Sequence, residues 1–217
     1  AAMTTKINLY NKAIGFIGGQ RLHPTTGLTE ATTTRYELDA VYDDAKQYML
    51  EQAAWKFALK TVLIEYDTGI TVGFGLQYGY PIPSDFVRLA GISLDEYFTP
   101  GNEPDFAEEN GYFFASVDQF YLKYVSNASG YGLDLALYPQ HYCEALAAWM
   151  AYKCVLPISG DRGDRNDILA QHSRALSVSK RLHALSDPIK LKPVGRWAQS
   201  RGGGIRPGFR NGRMGNY

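Results

Sequence analysis

The apolar residues of this chain change their spacing twice, and that change limits the folds open to it. Up to about residue 60 they recur three or four apart, the period of one helical face; between 62 and 130 they alternate or fall in short runs; from about 139 the helical spacing returns. A chain with that order is neither all-helical nor a parallel α/β sheet, because its strands come as one block between helices. Its 217 residues suit one domain, or one domain carrying an elaboration.

The first helix is expected over residues 4–17, where Ile7, Tyr10, Ile14 and Ile17 share a face, Thr4 or Thr5 can cap, and Gly18-Gly19 ends the run. A second helix is expected over 30–60. Its stripe is Leu38, Val41, Tyr42, Ala45, Tyr48, Met49, Gln52 and Trp55, and its cap is either Thr29 or Thr34, which has Glu37 three residues on. Strict alternation of Ile70, Val72, Phe74, Leu76 and Tyr78 predicts a strand with one buried face. Further strand-like runs are 62–66, 86–92, 112–116 and 120–126. A third helix is expected with Pro139 as its first residue, Cys143, Leu146, Ala147, Met150 and Cys154 as its stripe, and Pro157 as its stop. Asp161 to Asp167 open a fourth, striped by Ile168, Leu169, Ala175, Leu176, Leu182 and Leu185. The expected fold class is therefore α+β: an antiparallel four-helix bundle with a β-rich insertion between helices 2 and 3 and an extended C-terminal arm. The corresponding segments are 1–61 and 131–187 for the two halves of the bundle, 62–130 for the insertion and 188–217 for the arm.

Charge is distributed unevenly. The 22 basic and 22 acidic residues cancel. Seven of the bases (Lys190, Lys192, Arg196, Arg201, Arg206, Arg210 and Arg213) lie in 188–217, which has no acid, so the remainder carries −7. The insertion holds ten acids against Arg88 and Lys123 alone. Zero net charge excludes a uniformly basic nucleic-acid coat. The most apolar stretch, 145–158, is too short to cross a bilayer and contains Lys153. The opening residues, Ala1 to Lys6, have no long apolar core, so no secretory signal is expected. Cys143 and Cys154, eleven apart on one helix, are separated by roughly 16 Å, too far for a disulfide, whose Cα atoms lie within about 7 Å. They are expected to be core thiols.

Catalytic patterns are sparse. No Gly-x-Ser-x-Gly elbow, P-loop or complete dinucleotide fingerprint occurs. His23, His141, His172 and His183 are scattered, and neither the cysteines nor His172 and His183 have the one-turn spacing of helical metal ligands. No catalytic residue, cofactor or metal is expected. Asp43/Asp44, Asp95/Glu96 and Glu108/Glu109 are neighbouring acids, so a polysaccharide or cell-wall hydrolase working with two carboxylates stays open, although such neighbours far more often form a solvated acidic surface. The arm, with Trp197, Phe209 and Tyr217 among its arginines, suits phosphates and bases as well as an acidic protein groove. A nucleic-acid-binding module is thus a further alternative.

Three pieces carry a resemblance. They are Ala54-Trp55-Lys56-Phe57-Ala58, then Tyr80-Pro81-Ile82-Pro83-Ser84-Asp85-Phe86-Val87-Arg88-Leu89, then Tyr138-Pro139-Gln140-His141-Tyr142-Cys143 running on to Ala151. In this order and spacing, over roughly residues 5–187, the chain resembles the tail tubular protein A family of short-tailed bacteriophages, the head-to-tail adaptors below the portal. The resemblance implies a structural virion protein, not an enzyme. It implies a ring of twelve copies between portal protein and tail nozzle protein, with viral DNA passing through transiently, no membrane contact, assembly in the host cytoplasm and a final place in the virion tail at the portal vertex. The arm departs most from the family. Its expected contacts with portal or neighbouring subunit are Ile189, Leu191, Trp197, Arg201, Arg206, Phe209 and Arg210. The Tyr-rich acidic stretch of the insertion supplies the expected nozzle contacts: Tyr97, Phe98, Glu103, Phe106 and Tyr112.

Overall fold

The structure is a computed structural model that describes residues 5–70, 72, 75–160 and 162–186, with the backbone only at 162 and 163. The elements are α1 (Lys6–Ile17), α2 (Thr33–Glu51), β1 (Leu59–Glu65), β2 (Tyr78–Pro81), β3 (Phe86–Ser93), β4 (Phe106–Glu109), β5 (Tyr112–Ala115), β6 (Gln119–Ser126), α3 (Gln140–Ser159) and α4 (Arg162–Leu185), with short 3-10 turns at Lys56–Ala58 and Leu135–Leu137. Residues 1–184 form one compact unit and 185–217 a second, nearly all of which lies outside the described residues.

The fold is α+β, with four helices and two three-stranded antiparallel sheets among the described residues. The expected four-helix bundle with a β insertion does not form. Bundle helices each bury one stripe, whereas α3 buries Tyr142, Cys143, Ala145 to Ala148, Met150, Ala151, Cys154 and Val155, which surround its axis. It is a central helix, with α1 and α2 packed against it. Strand residues complete the same core: Val125 is fully buried there, and Leu59 and Val87 join it, with Ala58 from the turn before β1. The sheet formed by β1, β6 and β3 is thus a wall of the helical core, which an insertion hung on a bundle could not be.

One sheet has the order β1-β6-β3 and the other β2-β5-β4. They share a second core: Tyr80, Phe113 and Ala115 from one sheet meet Ile92, Phe120, Leu122 and Tyr124 from the other. On β6 the alternate residues Phe120, Leu122 and Tyr124 face that core, while Val125 points the other way into the helices.

Local chemistry explains where the elements begin and end. Thr5 caps α1, and Gly18 closes it at φ 79°. The α2 cap is Thr32, whose Oγ1 accepts from Arg35 N at 3.3 Å, rather than Thr29 or Thr34. Helix α2 stops at Glu51, not near 60, because side chains take its last carbonyls: Trp55 Nε1 donates to Met49 O at 2.7 Å and Arg88 Nη1 to Glu51 O at 2.9 Å. Trp55 therefore reads as a stripe residue in sequence and acts as a cap. Pro139 is the N-cap of α3 rather than its first residue, and Pro157 lies inside the helix, which ends two residues later at Ser159 and is capped by Gly160, φ 72°.

Of the alternating run 70–78, Thr71, Gly73 and Phe74 lie outside the described residues; among the described ones Ile70, Val72, Leu76 and Gln77 are in no strand, and β2 starts at Tyr78. A turn at Asp67, whose Oδ1 accepts from Gly69 N at 2.8 Å, takes the chain out of the ladder, and interior glycines give a strand little to hold. Sequence reading missed β4, three of whose four residues are exposed. Its signal was Asn110-Gly111, both at positive φ (48° and 80°), the two-residue hairpin turn joining it to β5.

On α4 the face that turns inward mixes apolar and polar residues, with Ala175 and Leu176 packed against the helical core. Ile168, His172 and Ser179 are buried, whereas Leu182 and Leu185, expected in the stripe, are 43% and 72% exposed. With Val178, 41% exposed, they make an outward ridge at positions i, i+4 and i+7. Cys143 and Cys154 are both buried, and burial pushes the Cys154 thiol up to about 12.

Candidate functional site

The residues that carry the family resemblance hold the fold together. Trp55 is fully buried with its ring 5.0 Å from that of Tyr142, and Phe57 packs on Tyr138 and Tyr142 at 5.2 and 4.9 Å. Tyr80 OH donates to Val117 O. Asp85, just before β3, accepts from Lys60 Nζ (2.8 Å) on β1 and from Tyr124 OH (2.8 Å) and Ser126 Oγ (2.7 Å) on β6. Burial pushes the Asp85 carboxyl up, but the hydrogen bonds from Lys60, Ser126 and Tyr124 together outweigh it and hold it at about 2. These residues set the architecture and leave little of their surface for a partner.

The exposed chemistry lies between β3 and β4, in a loop wound around Asp95. Its Oδ1 accepts from Ser93 Oγ (3.1 Å) and Thr99 N (3.0 Å), and its Oδ2 from Asn102 Nδ2 (3.2 Å). Hydrogen bonds from Thr99, joined by Asn102 and Ser93, hold this carboxyl down at about 2. Backbone bonds close the loop: Phe98 N to Asp95 O, Asn102 N to Thr99 O and Leu94 N to Asn102 O. Phe98 sits at φ 54°, a region costly for a large side chain.

Beside the loop runs a groove of about 480 Å³, lined by Leu89 to Ser93 of β3 and by Phe98, Thr99, Glu103, Phe106 and Lys123. Lys123 Nζ lies 4.3 Å from the Phe98 ring centre, a cation–π arrangement. Phe106, 42% exposed, stands edge-on to Phe113 at 6.2 Å.

Of the five expected nozzle contacts, Phe98, Glu103 and Phe106 come together on this groove. Tyr97 is 78% exposed beside it, and Tyr112 lies on the opposite face of β5 from the core residue Phe113, so it is not part of the group. The seven expected arm contacts, Ile189, Leu191, Trp197, Arg201, Arg206, Phe209 and Arg210, all lie outside the described residues. Sequence reading missed Asp95 as the organiser of the loop and Lys123 as a groove residue, since neither stands in a local motif.

Glu103 is the one carboxylate lining this groove, so the groove lacks the facing pair a glycosidase needs. Among the described residues no group of three His, Cys, Asp or Glu is placed to hold a metal, and no helix is long and apolar enough to cross a membrane. No protein-family model matches the chain, and no curated protein matches it.

Proposed function

We propose that the chain is a structural virion protein, the subunit of a head-to-tail adaptor ring that joins a portal to a tail nozzle and lets DNA through. The observation that carries this reading is the exposed apolar ridge on the C-terminal half of α4. The helix buries Ile168, His172 and Ser179 and leaves Val178, Leu182 and Leu185 outside. An apolar ridge of this kind on one subunit is suited to burial against another copy, and a head-to-tail contact closes into a ring when the rotation per copy is right. Tyr97 and the loop around Asp95 offer a separate surface for the next tail component, and the basic segment 188–217 offers one for the portal. The resemblance in residues 54–58, 80–89 and 138–151 gives the ring its place in the particle.

The test is assembly onto portal-bearing particles, read by sedimentation. Three proteins are compared: the full chain, a chain ending at Asp187, and Val178→Ser/Leu182→Ser. All three are expected to keep the circular dichroism of the full chain, and only the full chain is expected to load the portal as a ring. Normal loading of the ridge variant refutes the ring contact, and normal loading of the truncated chain refutes the role of the basic segment.

A further inference from the structure

We propose that α4 is docked on the rest of the fold through a seam of histidines that releases it, as a unit, in mild acid. The proposal goes beyond the ring reading and does not depend on it.

The seam has little apolar hold. Among the described residues α4 gives the helical core one buried aliphatic side chain, Ile168, and the partly buried Ala175 and Leu176; α1, α2, α3 and the strands supply the rest. Its other buried residues, His172 and Ser179, are polar, and Ser179 Oγ has no partner among the described residues. The polar ties of α4 to the body include Arg165 Nη2 to Tyr152 OH (3.1 Å), His172 Nδ1 to Ala145 O (3.0 Å) and His183 Nε2 to Ala54 O (2.9 Å). Local opening takes the elements that bury least apolar surface, so a helix held in this way can leave while the core stays closed.

Three of the chain's four histidines stand at this seam: His172 and His183 on α4, and His141 on α3 within electrostatic reach of His183. The Ala145 carbonyl accepts from His172 Nδ1, so that nitrogen carries the proton. Nε2 is left with a lone pair, buried and without a partner among the described residues. Protonation turns it into a charged N–H with no acceptor, which is satisfied only when the ring reaches water. Lys180 on α4 adds a like charge, while Tyr48 of α2 and Trp149 of α3 border the ring and bring no carboxylate. The other end of the seam repeats the arrangement. His141 Nε2 is buried without a partner among the described residues; burial and then His183 oppose its protonation, and Glu144 favours it. His183 stands edge-on to Trp55 at 5.3 Å. Burial is the first cause that holds both His172 and His141 below 6.5. An imidazole that is neutral docked and protonates near 6.5 once released contributes fully to docking above that pH and loses its contribution as pH falls. From pH 7.5 to 5.5 His172 alone multiplies the opening constant by about tenfold.

The experiment is amide hydrogen exchange of the full-length chain in solution at about pH 7.5 and 5.5, corrected for the intrinsic exchange rate and read by mass spectrometry. Peptides from residues 166–184 should lose protection by about tenfold or more, while peptides from α1 and β6 keep theirs. His172→Gln carries no titrating group and its amide can still donate to Ala145 O, so it should remove about tenfold of that loss. His23→Gln, in the loop after α1 and away from the seam, should leave the loss unchanged. An NMR titration of the imidazole rings in the parent chain decides the matter if His172→Gln releases α4 already at neutral pH: the His172 ring should protonate in step with the loss of protection. Protection of α4 unchanged at the lower pH overturns the proposal, as does a loss shared equally by α1. An unaltered loss in His172→Gln, a loss abolished by His23→Gln, or a protonated His172 ring while α4 stays protected overturns it as well.

Discussion

Asp85 should be the most sensitive single carboxylate in this fold. It stands where three strands must be kept in register, and its side chain, 19% exposed, accepts from Lys60, Tyr124 and Ser126 at 2.7–2.8 Å. Its drop from 3.8 to about 2 corresponds to about 2.4 kcal/mol at 1.36 kcal/mol per tenfold, an upper bound because solvent screens a partly exposed ion pair. Replacement by Asn keeps the shape and one acceptor oxygen, so Asp85→Asn should cost about 1–2 kcal/mol at pH 7. Asp85→Ala leaves the buried Tyr124 and Ser126 hydroxyls without this acceptor and should cost about 3–4 kcal/mol, a large share of a domain stability of about 5–15 kcal/mol. The assay is urea unfolding followed by aromatic fluorescence, with the loss read as a lower midpoint at unchanged slope. The pH dependence has a definite sign. The carboxyl is harder to protonate in the folded chain than in the unfolded one, so its contribution is full above about pH 4 and is lost as pH falls toward 2. The advantage of the parent over Asp85→Asn should therefore shrink between pH 4 and 2. A cost below about 0.5 kcal/mol at pH 7, or an advantage that persists unchanged at pH 2, would falsify the assignment.

Two further perturbations test the helical core. Trp55→Ala should cost about 3–5 kcal/mol, since it empties a fully buried site and removes the donor to Met49 O; amide exchange at the end of α2 should speed up, and exchange that stays slow argues that Arg88 alone holds that end. His172 is buried against Tyr48 and Trp149, with Nδ1 3.0 Å from Ala145 O; burial pushes its pKa down, the Ala145 carbonyl opposes this and Lys180 adds to it. The unfolded chain takes up a proton near pH 6.5 that the folded chain resists, so stability should fall as pH drops below 6.5, and His172→Gln should flatten that slope in pH-dependent urea titrations; an identical slope in the variant means His172 is protonated within the fold.

Most of the element order was legible. The period of apolar residues marked α1, the middle of α2, α3, α4 and β1, β3, β5 and β6, because each buries a face whose repeat is fixed by backbone geometry. What failed in the sequence reading involved partners distant in the chain. Trp55 continued the α2 stripe numerically, yet its indole folds back on Met49 O, and Arg88, 37 residues beyond Glu51, closes the same helix end. Leu182 and Leu185 continued the α4 stripe numerically, yet His172 faces the core, where Ala145 and the rings of Tyr48 and Trp149 receive it. The nozzle candidates were chosen as one acidic, tyrosine-rich stretch. Strand alternation then put Phe106 beside the groove and Tyr112 on the other side of its sheet.

By itself the sequence determined that helices flank a block of strands, that two cysteines lie too far apart to bridge on one helix, and that the charge of the chain is a cancellation between a basic end and an acidic remainder. These are properties of spacing and composition along one dimension. Only the tertiary structure decided that α3 is central rather than one of four equal helices, that Val125 of β6 belongs to the helical core, and that five residues of β3 line a groove with Phe98 and Phe106. Each of these depends on which surface covers which. Apolar burial is non-directional and is satisfied by any partner of the right shape, so residue spacing specifies a face to be covered and leaves the choice of cover to the packed fold.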